Sequence, residues 1–237
     1  MTTIRSALFM VAFVLITCLF SLVIISVGRF ASLRLMAKLG SGWAHSSLWC
    51  LRLLCGLRYR VQGAEHLPDY PVVVLCKHQS AWETVALRLI LPPEQAWVLK
   101  RELLKIPLFG WALAQYQPIA IDRGSARQAL KQLLQQGQAL IAQGRWLVVF
   151  PEGTRVASGE EKRFNIGGAK LAELAQVPIV PIAHNAGAFW PRRSLLKRPG
   201  VIDVVIGPPI APQSRTATEL NALAEQWIND TVRTLPA

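Results

Sequence analysis

Val72-Val73-Val74-Leu75-Cys76-Lys77-His78-Gln79-Ser80-Ala81-Trp82-Glu83 carries five apolar residues into a polar loop and then into a helical pattern. An uninterrupted apolar run of this length is what a strand covered on both faces requires. Trp146-Leu147-Val148-Val149-Phe150, followed by Pro151-Glu152-Gly153-Thr154-Arg155, repeats the arrangement. Outward from these two, β-rich runs at residues 59–62, 96–99, 118–121, 179–183 and 201–206 alternate with helical patterns at 82–91, 125–142, 166–175 and 217–232. Ser125 is placed to N-cap the second of these helices and Gly144 to follow its end, while Thr216 and Glu219 form a capping-box pattern ahead of the last. The alternation predicts an α/β fold, a mixed and largely parallel sheet flanked by helices, with residues 59–237 forming one domain.

In such sheets chemistry gathers in loops beyond the strand ends, which singles out residues 77–83 and 150–155. A neutral imidazole at His78 is a suitable general base near pH 7. Glu83, accepting a hydrogen bond from the other ring nitrogen, would fix the tautomer and stabilise the imidazolium. On a regular helix the two residues would lie about 140° apart, so the contact requires the intervening loop to fold back. Arg155 suits a phosphate because its planar fork binds two oxygens together. Each reading has a bland counterpart: a helix-capping loop with an incidental His, and a strand-terminal turn with Arg155 in a structural ion pair. Cys76, two residues before His78, invites a thiol nucleophile, but its apolar strand context points to burial instead.

Residues 7–27 contain no charged side chain, and as a helix rising ~1.5 Å per residue they would match roughly 30 Å of bilayer hydrocarbon. The apolar run is long for a signal peptide and no convincing small-x-small cleavage site accompanies it, so the segment is expected to be retained. Beyond Arg29, Arg34 and Lys38, residues 43–57 mix Trp43, Trp49 and leucines with His45 and Arg52. That is an interfacial pattern, with a core helix as its alternative. Residues 1–58 are therefore expected to form a membrane anchor of one or two helices. Lys and Arg dominate the rest of the chain, and the expectation is that this part faces the cytoplasm.

The 237 residues are 52% hydrophobic and carry a net charge of +12, with pI near 10.2 and mean hydropathy +0.32. Such charge favours an anionic partner, and a membrane segment favours lipid over nucleic acid. No zinc, RRM or basic-zipper signature supports nucleic-acid binding. The four cysteines show no CxxC pair and the four histidines are scattered, so no metal is implied. A serine hydrolase would need a GxSxG elbow, which is missing. A non-enzymatic, basic membrane-surface binding protein stays open on composition alone.

The two loops also carry a resemblance. His78 to Glu83 resembles the HX4D motif of the glycerolipid acyltransferase family, and Phe150-Pro151-Glu152-Gly153-Thr154-Arg155 is identical to its FPEGTR motif. Lys100-Arg101-Glu102-Leu103 with Pro107 and Gly110, then Ile121-Asp122-Arg123, looks like the segment between these motifs. Val177-Pro178-Ile179-Val180-Pro181-Ile182 looks like the family's final proline-containing strand. Glu83 departs from the commoner Asp; it keeps the charge and lengthens the arm by one methylene. Within the family the blocks look most like those of bacterial 1-acylglycerol-3-phosphate acyltransferases.

The resemblance implies transfer of an acyl group from acyl-CoA or acyl-carrier protein, a co-substrate rather than a cofactor, to the sn-2 hydroxyl of lysophosphatidic acid. The product would be phosphatidic acid, made for phospholipid synthesis at a bacterial inner membrane. Glycerol-3-phosphate, another lysophospholipid or a lyso-amino-acid lipid are alternative acceptors. His78 and Glu83 become the catalytic pair, and Arg155, Gly153, Thr154, Glu152, Lys100 and Arg123 the substrate-binding set. Glu152 is expected to order its turn or a cationic neighbour rather than to transfer a proton, and Arg123 has an alternative as a partner of Asp122 or of the surface. Oxyanion donors are expected near Gly153 or in residues 178–181. Arg192, Arg193, Lys197 and Arg198 read as a basic loop, either resting on anionic lipid or simply solvated.

Overall fold

Residues 1–122 and 124–236 are described by a computed structural model. In chain order the elements are α1 (Thr2–Gly28), α2 (Leu33–Cys55), β1 (Leu57–Gln62), β2 (Val73–Cys76), α3 (Trp82–Ile90), β3 (Gln95–Lys100), α4 (Phe109–Ala114) and β4 (Ile119–Ile121). There follow α5 (Ala126–Ala142), β5 (Trp146–Val149), α6 (Gly167–Ala175), β6 (Ile179–His184), α7 (Ala186–Phe189), β7 (Gly200–Ile206) and α8 (Ala217–Thr234). All seven expected strands are present, with ends moved by one or two residues. The short helices α4 and α7 have no counterpart in the sequence reading, because one turn or so of helix leaves no readable periodicity.

The strands form one sheet in the order β1-β7-β6-β2-β5-β3-β4. Every neighbouring pair is parallel except β6 and β7. β2 lies between β5 and β6, with Leu75 opposite Val149 on one side and Cys76 opposite Ile182 on the other. The period-2 alternation of a strand divides the Val72 run between two cores. Val72, Val74 and Cys76 pack with Leu48, Leu51, Trp82 and Val85 beneath α2 and α3. Val73 and Leu75 pack on the opposite face with Leu133, Leu171 and Leu220 from α5, α6 and α8. Full burial on both faces is the physical reason that this stretch has no polar alternation.

The helix caps follow the sequence. Ser125 accepts from the Gln128 N–H, and Thr216 and Glu219 close a reciprocal capping box at α8. Ser32 likewise caps α2, which begins well ahead of the expected interfacial stretch because Arg34 and Lys38 obscure its first turns. One face of α2, through Met36, Ala44, Leu48 and Leu51, is buried, while Trp49 and Leu53 are exposed. It is thus a core helix on one side and an apolar surface on the other. α1 is long and apolar enough to cross a membrane, and Leu8, Val11, Leu15 and Leu19 on it are exposed. Its inner face reaches the domain: the Phe9 ring meets Trp190 edge-on at 5.4 Å, and the Trp43 indole N–H of α2 donates to Thr17 at 3.0 Å.

Candidate active site

β2, β5 and β3 are adjacent and parallel, so the loops after Cys76, Val149 and Lys100 emerge from the same edge of the sheet. That topology brings together residues separated by as many as 75 positions in the chain.

The loop after β2 folds back as the His78–Glu83 contact requires. His78 Nδ1 lies 2.8 Å from Glu83 Oε1, and the same oxygen accepts the backbone N–H groups of Gln79 at 2.9 Å and Ser80 at 2.8 Å. The carboxylate therefore closes the loop ahead of α3 and grips the imidazole at once. Since an ionised carboxylate can only accept, Nδ1 carries the proton and Nε2 keeps its lone pair. The His78 side chain is 14% exposed and Glu83 fully buried. Burial alone would push the Glu83 carboxyl up; the charges of His184 and His78, the His78 hydrogen bond and the Ser80 N–H together bring it below the ordinary value. Phe150 stacks on the His78 ring at 4.1 Å and 16°, fixing its plane.

Behind this pair lies a second, entirely buried one. Lys77 Nζ donates to Glu152 Oε1 at 2.5 Å, and Glu152 Oε2 accepts the His78 backbone N–H at 2.7 Å. Burial pushes the Glu152 carboxyl up, against the opposing pull of Lys77. With both oxygens engaged inside the protein, Glu152 is not free to hold substrate. Its place is to tie the β5 loop to the backbone of His78. The two loops are also joined by the Val156 N–H donating to the His78 carbonyl at 2.8 Å.

The turn itself depends on Gly153, whose φ of +70° is left-handed and whose Cβ, if it had one, would sit 3.1 Å from Asn165 Nδ2. Asn165 holds the turn from outside through two bonds to the Pro151 carbonyl. Of the oxyanion donors expected near Gly153, one is already engaged. The Gly153 N–H is bonded to the Phe150 carbonyl at 3.0 Å. Residues 178–181 run beside β2, with Ile179 opposite Val73 and Pro181 opposite Leu75.

A cavity of about 930 Å³ opens at this edge. His78, Lys100, Glu152, Gly153, Thr154 and Arg155 all border it. No carboxylate among the described residues pairs with the Arg155 side chain, which removes the structural ion pair as its explanation. Arg123 lies outside the described residues. Arg192 and Arg193 reach the cavity, and Arg192 donates to the Arg155 carbonyl at 2.5 Å. Lys197, read from sequence as part of the same basic surface, is instead buried at 1% exposure between Phe9 and Trp190. Phe20 and Ile24 of α1, with Leu103, Phe109 and Leu130 of the domain, give much of the cavity an apolar wall. Cys76 is fully buried and burial pushes its thiol well up, so it is unsuited to act as a nucleophile.

The family model for acyltransferases matches residues 58–185, a span containing both loops. This chain belongs to the acyltransferase family. It is 47% identical over 193 residues to the 1-acyl-sn-glycerol-3-phosphate acyltransferase of Pseudomonas aeruginosa, covering 80% of this chain and 75% of that one. To the human 1-acyl-sn-glycerol-3-phosphate acyltransferase alpha it is 34% identical over 178 residues, covering 74% of this chain and 63% of the human one. The crystal structure of the 1-acyl-sn-glycerophosphate acyltransferase of Thermotoga maritima superposes along the whole of both chains with a TM-score of 0.77 at 21% identity. The mixed sheet with flanking helices is thus a fold that the family already uses. Within this acyltransferase, the sequence pointed to every element of the His78, Glu83 and Arg155 arrangement. It gave no sign of Lys77, Asn165 or the α1 side chains, whose roles come from contacts between distant segments.

Proposed function

We propose that the chain transfers an acyl group from acyl-CoA or acyl-carrier protein to the sn-2 hydroxyl of 1-acyl-sn-glycerol-3-phosphate, giving phosphatidic acid, with its catalytic domain on the cytoplasmic face of the inner membrane. The observation that carries this reading is that a polarised imidazole and a guanidinium paired with no carboxylate among the described residues border one cavity whose wall is in large part apolar and partly built by the N-terminal helices. A lysophosphatidate has the matching parts: a phosphate, a hydroxyl two carbons away, and a hydrocarbon chain. Several relatives bear this activity in their names.

In the proposed reaction His78 Nε2 takes the hydroxyl proton as the oxygen attacks the thioester carbonyl. Glu83 stabilises the imidazolium, as a carboxylate does when it accepts from Nδ1–H. The tetrahedral intermediate then expels the thiolate, the C–S bond breaks, and the proton passes from Nε2 to sulfur. No acyl-enzyme forms. Arg155 holds the acceptor phosphate with Lys100 at the cavity border, and Thr154 offers a hydroxyl beside it.

Initial rates with lysophosphatidate and acyl-CoA test the assignment. His78→Ala should lower turnover by roughly 10²–10⁴-fold, the usual contribution of a general base. Arg155→Ala should raise the acceptor KM by about tenfold or more, as expected on losing a charged hydrogen bond. Equal use of glycerol-3-phosphate or lysophosphatidylcholine by the native protein would refute the acceptor assignment. Parallel assays with acyl-carrier protein identify the donor.

A further inference from the structure

Arg88 projects from α3 into the same cavity, in the part walled by aromatic and aliphatic side chains. Its Cζ lies 5.1 Å from the Trp97 ring centroid and 4.7 Å from that of Tyr116. Trp97 in turn lies 5.9 Å from Phe150, the ring stacked on His78, so Arg88 is two aromatic neighbours away from the catalytic base. Burial pulls the guanidinium down to about 10, which leaves it charged at neutral pH. Aromatic faces attract a cation, but they give its five N–H groups no oxygen to bond. No carboxylate or carbonyl among the described residues meets them. Arg88 is half-buried and its unbonded N–H groups border the cavity, so their acceptor comes from whatever fills it.

We infer that Arg88 is a substrate-binding residue that donates to an uncharged oxygen carried by the lipid chains, deeper in the cavity than the phosphate. The inference rests on the proposed function, since it takes a lipid as the occupant. With the phosphate at Arg155, two sources bring an oxygen past His78 into an apolar cavity. One is the ester carbonyl linking the first chain of the lysolipid to glycerol. The other is a hydroxyl on the chain being transferred. A purely structural Arg88, stapling Trp97 to Tyr116, would be indifferent to both.

Arg88→Met keeps the length of the side chain and removes the donors; Arg88→Lys keeps the charge and removes the planar fork. Both variants, with melting curves to confirm folding, are assayed with ester-linked and ether-linked lysophosphatidate and with plain and 3-hydroxy acyl-CoA. For Arg88→Met we expect kcat/KM to fall about tenfold or more on the ester-linked acceptor, the loss of one charged hydrogen bond, and within about twofold on the ether-linked one. Arg88→Lys should fall between. A loss confined to the 3-hydroxy donor would give the oxygen to the transferred chain instead. Equal loss on all four substrates, or none, overturns the role of Arg88. Absence of turnover of lysophosphatidate by the native protein would instead overturn the proposed function, a separate result read before any variant is compared.

Discussion

Glu83 Oε1 receives three hydrogen bonds, one from the imidazole and two from backbone, while Oε2 has no hydrogen-bond partner among the described residues and lies 4.0 Å from His184 Nε2. Glu83→Gln can therefore preserve the loop, with Oε1 still accepting, and remove only the counter-charge of the imidazolium. We expect kcat to fall by about 10³–10⁴-fold, the scale of a carboxylate-to-amide change behind a catalytic His, with acceptor KM nearly unchanged. Separate kcat and KM measurements check this, and a change confined to KM would contradict it. Lys77 differs in kind: 1% exposed and paired with Glu152, it serves the architecture of the site. Lys77→Met leaves a buried carboxylate without its cation and should cost roughly 3–5 kcal/mol of stability, read from denaturant unfolding in detergent. His78, Glu83 and Arg155 were legible in sequence because their motifs are contiguous. The Lys77–Glu152 pair was not, since nothing local announces a contact across two strands.

Among the elements, the β5 loop depends on one backbone requirement at Gly153. Gly153→Ala would place a Cβ in left-handed backbone against Asn165, a strain on the order of 1–3 kcal/mol. Because that turn carries Thr154 and Arg155, we expect acceptor KM to rise several-fold while melting shifts only modestly; unaltered kinetics would show that the turn tolerates the change. The strands of this scaffold could be read directly, since β2, β5 and β6 are buried along their whole length and their sequences have no reason to alternate. α2 was harder. Its charged residues, Arg34, Lys38 and Arg52, lie near both ends, and its buried stripe, Met36, Gly40, Ala44, Ser47, Leu51, includes too many small and polar residues to register as apolar.

At the scale of the molecule, the exposed leucines and valines of α1 and the exposed Trp49 and Leu53 of α2 lie beside a catalytic domain of strongly basic composition. Binding to vesicles containing anionic lipid should therefore weaken as salt rises without vanishing, because screening removes the electrostatic part and leaves the apolar part. Complete release at high salt, measured by sedimentation, would argue against insertion of the helices. The sequence identified a long apolar helix but not its reach into the site: α1 borders the cavity through Thr17, Phe20, Ser21 and Ile24. Shared construction of that wall ties the chemistry to a two-dimensional medium. The relevant substrate concentration becomes the mole fraction of lysolipid in the surrounding sheet, so diluting it with inert phospholipid at fixed bulk amount should slow turnover in proportion.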